Sequence, residues 1–242
     1  MKMWKKVLIG FITVLVALVG VFVVWGETPA QAMTEAKAAL QSNTQVTVTT
    51  GNWLVFSPAN GQVHSGLIFY PGGRVDYRAY APMASQLAAN GFLVVIPRMP
   101  LNLAVFGVNA ADEVIRSYPQ VQSWYIGGHS LGGSMAADYL FKHQSRFAGL
   151  ILLASYPASS DDLSAFAGRV LSISATNDGL ATPVKITASR ALLPASTVFY
   201  AIQGGKHAYF GWYGDQEGDG TASISREDQQ AQMLKQIIAF MK

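Results

Sequence analysis

Ser130 stands in the run Gly127-Gly128-His129-Ser130-Leu131-Gly132-Gly133, a hydroxyl framed by small residues where an apolar run meets a helical stripe. Before it, Trp124-Tyr125-Ile126 reads as a short buried strand. After it, residues 131–143 lack proline and place Leu131, Met135, Tyr139 and Leu140 on one helical face. A G-x-S-x-G run at such a junction is a nucleophile elbow. The sharp turn strains the serine backbone and lifts its hydroxyl clear of the sheet, and glycines two before and two after it remove the Cβ atoms that would clash.

A serine hydroxyl is a poor nucleophile at neutral pH, so it needs a base within hydrogen-bond reach and a third group to hold that base's tautomer. In an open parallel sheet such groups sit beyond the carboxyl ends of strands. The apolar runs Val170–Ser174 and Val198–Ile202 are followed by loops containing Asp178 and His207. Asp215 and the pair Asp161, Asp162 are the other candidates for the acid. His129 lies inside the elbow, His143 near the end of a helix and His64 ahead of a strand, so His207 alone follows a late strand. Acyl transfer also requires N–H donors for the oxyanion. Leu131 opens the helix with a free N–H, and Pro71-Gly72-Gly73-Arg74 offers Gly73, with Arg74 next.

The chain order Ser130, Asp178, His207, each on the loop after its own strand, is the order associated with the elbow. On these residues, 45–242 resemble an α/β-hydrolase, nearest to the compact group of dienelactone-hydrolase-like proteins. The resemblance implies a serine hydrolase of carboxylic esters working through an acyl-serine. Where dienelactone hydrolase has a cysteine this chain has Ser130, and Pro71 stands where the family's turn has histidine. An acyltransferase with the same triad and a non-catalytic binding protein keeping the fold remain alternatives. No H-x-x-x-H or H-E-x-x-H is present and there is no cysteine, so neither a metal nor a cofactor is expected.

The elements that must position these groups follow from hydrophobic periodicity. Val46–Thr50 and Trp53–Phe56 read as a hairpin around Gly51-Asn52. Leu67–Tyr70, Phe92–Ile96, Trp124–Ile126, Leu150–Leu153, Val170–Ser174 and Val198–Ile202 read as further strands. Between them, a helix carries Tyr80, Met83, Ala84, Leu87 and Ala88 on one face and stops at Gly91, and a shorter one covers Asn109–Tyr118. A final helix begins at Ser225 and Asp228 in capping-box spacing. Continuously apolar strands separated by helices predict an α/β fold with a mostly parallel central sheet covered on both faces.

Ala154–Gly168 is too short for a helical cap, which implies an open site for a small or surface-presented ester. Phe106, with Leu101, Leu103 and Val105, is a candidate apolar wall. Trp212 flanks the histidine loop, His129 adjoins the nucleophile, and Arg74 and Arg98 follow strand ends where an anionic substrate group could bind.

The first 26 residues form a separate unit. Lys2, Lys5 and Lys6 precede Val7–Trp25, which contains no charge and no proline. As a helix these residues would span about 28 Å, close to a bilayer's hydrocarbon thickness. They predict a membrane segment: either a retained anchor with interfacial Trp4 and Trp25, or a signal peptide cleaved near Ala30-Gln31-Ala32. In both cases the lysines stay cytoplasmic and the remainder is exported. Residues 27–44 read as a linker, with a short helix near Thr34–Gln41, ahead of a catalytic domain at 45–242. Because the three lysines lie in the first segment, the rest carries 14 basic and 14 acidic residues. That balance gives no electrostatic footprint for nucleic acid.

Overall fold

In the computed structural model, which describes residues 3–63 and 65–242, the apolar strands assemble into a single sheet. Lys2 and His64 lie outside the described residues. The strands are β1 (Val46–Thr50), β2 (Trp53–Pro58), β3 (Ser65–Tyr70), β4 (Leu93–Pro97), β5 (Ser123–His129), β6 (Gly149–Leu153), β7 (Arg169–Ala175) and β8 (Val198–Ile202). Their order is β1-β2-β4-β3-β5-β6-β7-β8. The β1–β2 hairpin and the β2–β4 pairing are antiparallel, and every other neighbouring pair is parallel.

Alternation along the strands divides two apolar cores between the faces. Leu67, Phe69, Val94 and Ile96 face α3 (Ala81–Ala89) and α7 (Arg226–Met241), whose Met83, Leu87, Met233 and Ile237 join the same cluster. Ile68, Tyr70, Leu93 and Val95 face α4 (Ala110–Ser117) and α5 (Leu131–Lys142) through Ala111, Val114, Ala136 and Leu140. Each fully buried Leu, Ile or Phe contributes about 1.5–3 kcal/mol. The start of α7 is fixed by Ser225, whose hydroxyl accepts the Asp228 N–H at 3.0 Å.

Two departures from the sequence reading are local. Strand β5 continues through Gly127 and Gly128 to His129, because both glycines stay in register with Ile151 and Leu152 of β6. A short helix, α6 (Pro183–Ala188), occupies part of the stretch between β7 and β8, capped by Thr182 and buried only at Ile186.

The apolar N-terminal residues form α1 (Met3–Glu27), a helix long and apolar enough to cross a membrane, with its apolar stretch exposed. The segment after it is stitched to the domain. Ala30 donates to the Arg74 carbonyl at 2.7 Å and accepts from the Asp76 N–H at 2.9 Å. Ala32 bridges Tyr213, and Met33 donates to the Trp212 carbonyl at 2.9 Å. Here α2 (Thr34–Ala38) buries Ala36 completely.

Candidate active site

Gly73, Ser130, Asp178 and His207 each follow the carboxyl end of a parallel strand: β3, β5, β7 and β8. Parallel register therefore gathers at one edge of the sheet four residues that are up to 134 positions apart in the chain. Ser130 joins β5 to α5 with φ 53° and ψ −126°, a left-handed backbone that costs a non-glycine residue about 1–3 kcal/mol. The turn is possible because a Cβ at Gly128 would lie 2.5 Å from the Gly132 carbonyl carbon, and one at Gly132 would press into the carbonyl oxygens of Tyr70 and Pro71.

Asp178 and His207 are buried together, their side chains 0% and 1% exposed, with Asp178 Oδ2 2.8 Å from His207 Nδ1. The other carboxylate oxygen accepts the Leu180 and Ala181 N–H groups at 2.8 and 2.7 Å. This fixes the carboxylate's orientation and leaves Oδ2 to hold the imidazole. His207 Nε2 has no protein partner among the described residues. The His207 side chain lines a cleft of about 250 Å³ together with Ser130, Leu131, Ala154, Tyr156 and Ala181. Ser130 Oγ and His207 Nε2 are not hydrogen-bonded to each other in this structure; such contacts often tighten only when substrate arrives.

The two residues expected to supply oxyanion donors lie next to each other. Leu131 is the first residue of α5, and Gly73 lies against it: a Cβ at Gly73 would sit 2.9 Å from Leu131 Cδ2. Arg74 cannot serve as the second donor, since its N–H is given to the Asn102 carbonyl at 2.7 Å. The Gly73 turn is held by a residue the sequence reading placed only in an apolar face. Tyr80 ends a 3-10 turn over Tyr77–Tyr80, and its hydroxyl accepts the Gly72 N–H at 3.0 Å and contacts His129 Nδ1 at 2.8 Å. A buried tyrosine hydroxyl needs a partner, and that was the available signal.

None of the residues expected to contact substrate lines the cleft that holds Ser130 and His207. His129 is 0% exposed and packed at a tilt against His207 with ring centroids 4.5 Å apart, and it does not line the cleft. Burial, and then the neighbouring His207, hold its pKa well below the ordinary imidazole value, keeping it neutral. The Arg74 guanidinium donates to the Trp25 and Thr28 carbonyls at 3.0 and 2.8 Å and stacks on the Trp25 ring. Arg98 pairs with Glu27 at 3.5 Å, and Phe106 meets Phe22 edge-on. Each of these three residues therefore contacts α1, and none of them lines the Ser130 cleft. Trp212 is half-buried and joins Ala79 and Met33 through its backbone. Of the alternative acids, Asp215 pairs with Lys206 at 2.6 Å, while Asp161 and Asp162 make only local contacts. Among the described residues no group of three or more His, Cys, Asp or Glu could hold a metal.

Comparison with known proteins agrees with this topology. The pattern of the family described as "Alpha/beta hydrolase family" matches residues 66–231. No curated protein matches the sequence. Among solved structures, the esterase Est1E from Butyrivibrio proteoclasticus, bound to ferulic acid, superimposes with a TM-score of 0.61 at 11% identity, covering 81% of this chain and 96% of its own. The thermophilic esterase Est2 from Thermogutta terrifontis gives 0.58 at 13% identity, covering 81% and 92%. A dienelactone-hydrolase-like protein from Klebsiella pneumoniae gives 0.59 at 13% identity, covering 78% and 91%. At these identities the likeness is one of fold.

Proposed function

The chain belongs to the alpha/beta hydrolase family, and from that premise we propose that it is a membrane-anchored serine hydrolase that cleaves carboxylic esters through an acyl-serine. The observation that carries the proposal is the His207 imidazole. Its Nδ1 is tied to a doubly anchored Asp178, its Nε2 is left without a partner among the described residues, and the residue lines the cleft that holds Ser130. In the acylation step Nε2 takes the Ser130 proton as Oγ bonds to the ester carbonyl carbon. The resulting oxyanion is met by the Leu131 and Gly73 N–H groups, each such donor worth about 3–4 kcal/mol of barrier. Collapse breaks the carbon–oxygen bond to the alcohol, which leaves with the proton from Nε2. Water then repeats the sequence on the acyl-serine, releasing the acid and restoring Ser130. Asp178 keeps the imidazole in the tautomer this requires and stabilises the imidazolium. The esterases among the structural neighbours support the reaction class.

Retention of α1 as an anchor is supported by the contacts at its carboxyl end. Cleavage near Ala32 would remove the Ala30 and Ala32 bridges and both carbonyl partners of Arg74. Lys5 and Lys6 precede the apolar span, which favours a cytoplasmic N-terminus and an extracytoplasmic catalytic domain. The test is fluorophosphonate labelling of the full-length protein in detergent, mapped by peptide mass spectrometry. Labelling at Ser130 that is lost in Ser130→Ala and suppressed in His207→Ala is expected. A folded protein that takes no label would instead be a binding protein that keeps the fold.

A further inference from the structure

A second, larger cleft adjoins the serine site on the far side of Gly73. It encloses about 570 Å³ between the end of α1, through Trp25 and Ala30, and the turn carrying Gly73 and Val75, with Leu103 beside them and Glu217 on its rim. Gly73 is the shared edge: a Cβ there would lie 2.9 Å from Leu131 Cδ2, in the serine cleft, and 3.6 Å from Leu103 Cδ2, in the larger one. An ester whose carbonyl oxygen sits between the Gly73 and Leu131 N–H groups therefore has one arm directed to each cleft.

Resting on the serine-hydrolase reading, we infer that the substrate is an amphiphilic ester of a small alcohol, with its long acyl chain in the cleft beside α1 and its alcohol in the cleft beside His207. The leaving alcohol must receive its proton from His207 Nε2, so its oxygen lies on the His207 side. His207 lines the smaller cleft and does not line the larger one. The sizes agree with this assignment: 570 Å³ lies within the roughly 300–1,000 Å³ that holds a whole small molecule, and 250 Å³ falls below it. The lining of the larger cleft is two-sided: Trp25, Pro29, Ala30, Val75 and Leu103 form an apolar strip for the chain, while Thr28, Arg74, Asp215, Gln216 and Glu217 are polar, with the Arg74 guanidinium already committed to the Trp25 and Thr28 carbonyls. One of its walls is also the last turn of the apolar helix, whose preceding residues are exposed along their length.

Two isomeric esters separate arm placement from membrane partitioning: ethyl dodecanoate, with a long acyl chain and a small alcohol, and decyl butyrate, with the arms reversed. Both are supplied to the full-length protein in phosphatidylcholine vesicles, and kcat/KM is read from the acid released. Ethyl dodecanoate is expected to be preferred by about tenfold or more. Glu217→Trp on the exposed rim and Leu103→Trp within the cleft should both bring the ratio toward one. Equal rates for the isomers, preference for decyl butyrate, or a ratio that neither variant moves would overturn the assignment. Fluorophosphonate labelling of the same samples distinguishes the two levels. Label at Ser130 without isomer preference removes the arm assignment and keeps the hydrolase; absence of label removes both.

Discussion

Tyr80→Phe tests whether the oxyanion turn is held from behind by a single hydroxyl. The ring keeps its volume, so no cavity opens and the effect belongs to one oxygen. Tyr80 is 1% exposed and its hydroxyl serves both the Gly72 N–H, at 3.0 Å, and His129 Nδ1, at 2.8 Å. Water does not reach either group readily, since His129 is 0% exposed and its Nε2 already lacks a partner. Stranding a buried polar group costs about 1–3 kcal/mol, so the two together should cost about 2–4 kcal/mol, read as a shift in the urea midpoint of the full-length protein in detergent. Gly73, released from its neighbour's anchor, should donate less well to the oxyanion. A fall in kcat of about 10- to 100-fold is expected, bounded by the 10²–10³ lost when a donor is removed outright, with little change in KM. Adding His129→Phe should recover part of the stability loss, because the histidine nitrogen is no longer stranded, while kcat stays low. A single variant within about 0.5 kcal/mol of wild type and within twofold in kcat would refute the reasoning, since surface-like substitutions behave that way.

Asp178→Asn should fold, because its amide oxygen can still accept the Leu180 and Ala181 N–H groups, but its NH₂ then faces His207 Nδ1 and forces the proton onto Nε2. Steady-state hydrolysis should drop by about 10⁴, and a loss below tenfold would mean Asp178 does not set the tautomer. Asp76 should make the protein acid-sensitive. Burial alone would raise its carboxyl, but side-chain and backbone hydrogen bonds from Arg78 outweigh that and hold it below the ordinary 3.8. Its folded pKa being depressed, the stabilisation is present above 3.8 and is lost as pH falls through the folded value. Urea midpoints between pH 6 and pH 3 should therefore fall less steeply in Asp76→Asn than in wild type.

The parts of the site that could be read from the sequence are those set by local rules. Ser130 is marked by glycines whose absent Cβ atoms admit the Tyr70, Pro71 and Gly132 backbone, and Asp178 and His207 are marked by position after apolar runs. Strand and helix positions came from the same periodicity, whereas α6 was invisible to it because only Ile186 is buried; Thr182-Pro183, a cap followed by proline, was its one local mark. Contacts across the chain were not legible. Tyr80 reaches His129 49 residues away, and Arg74 reaches Trp25 from the same distance. Arg74, Arg98 and Phe106 do occupy strand-end loops, but their partners are α1 residues, and no pattern within those loops records that.

That pairing of α1 with the Gly73 turn gives the proposed anchor a second role. A tether needs only length and hydrophobicity, and a flexible linker would serve it. Here the helix end is captured: Asn102 donates to the Gly26 carbonyl at 3.0 Å, and Arg74 donates to those of Trp25 and Thr28. The two captors are themselves joined, since the Arg74 N–H donates to the Asn102 carbonyl. Arg74 and Asn102 both hold left-handed backbone, at φ 55° and 53°, a conformation that persists only where surrounding contacts over-determine it. The contacts that do so come largely from residues 25–30, and Gly73 is the next residue along. The helix end thus holds the strained backbone on either side of the turn that carries Gly73, the proposed oxyanion donor. On the proposed function, anchoring and catalysis would share one set of hydrogen bonds, and a change that loosens α1 from Arg74 would reach the proposed oxyanion donor, Gly73, through one peptide unit.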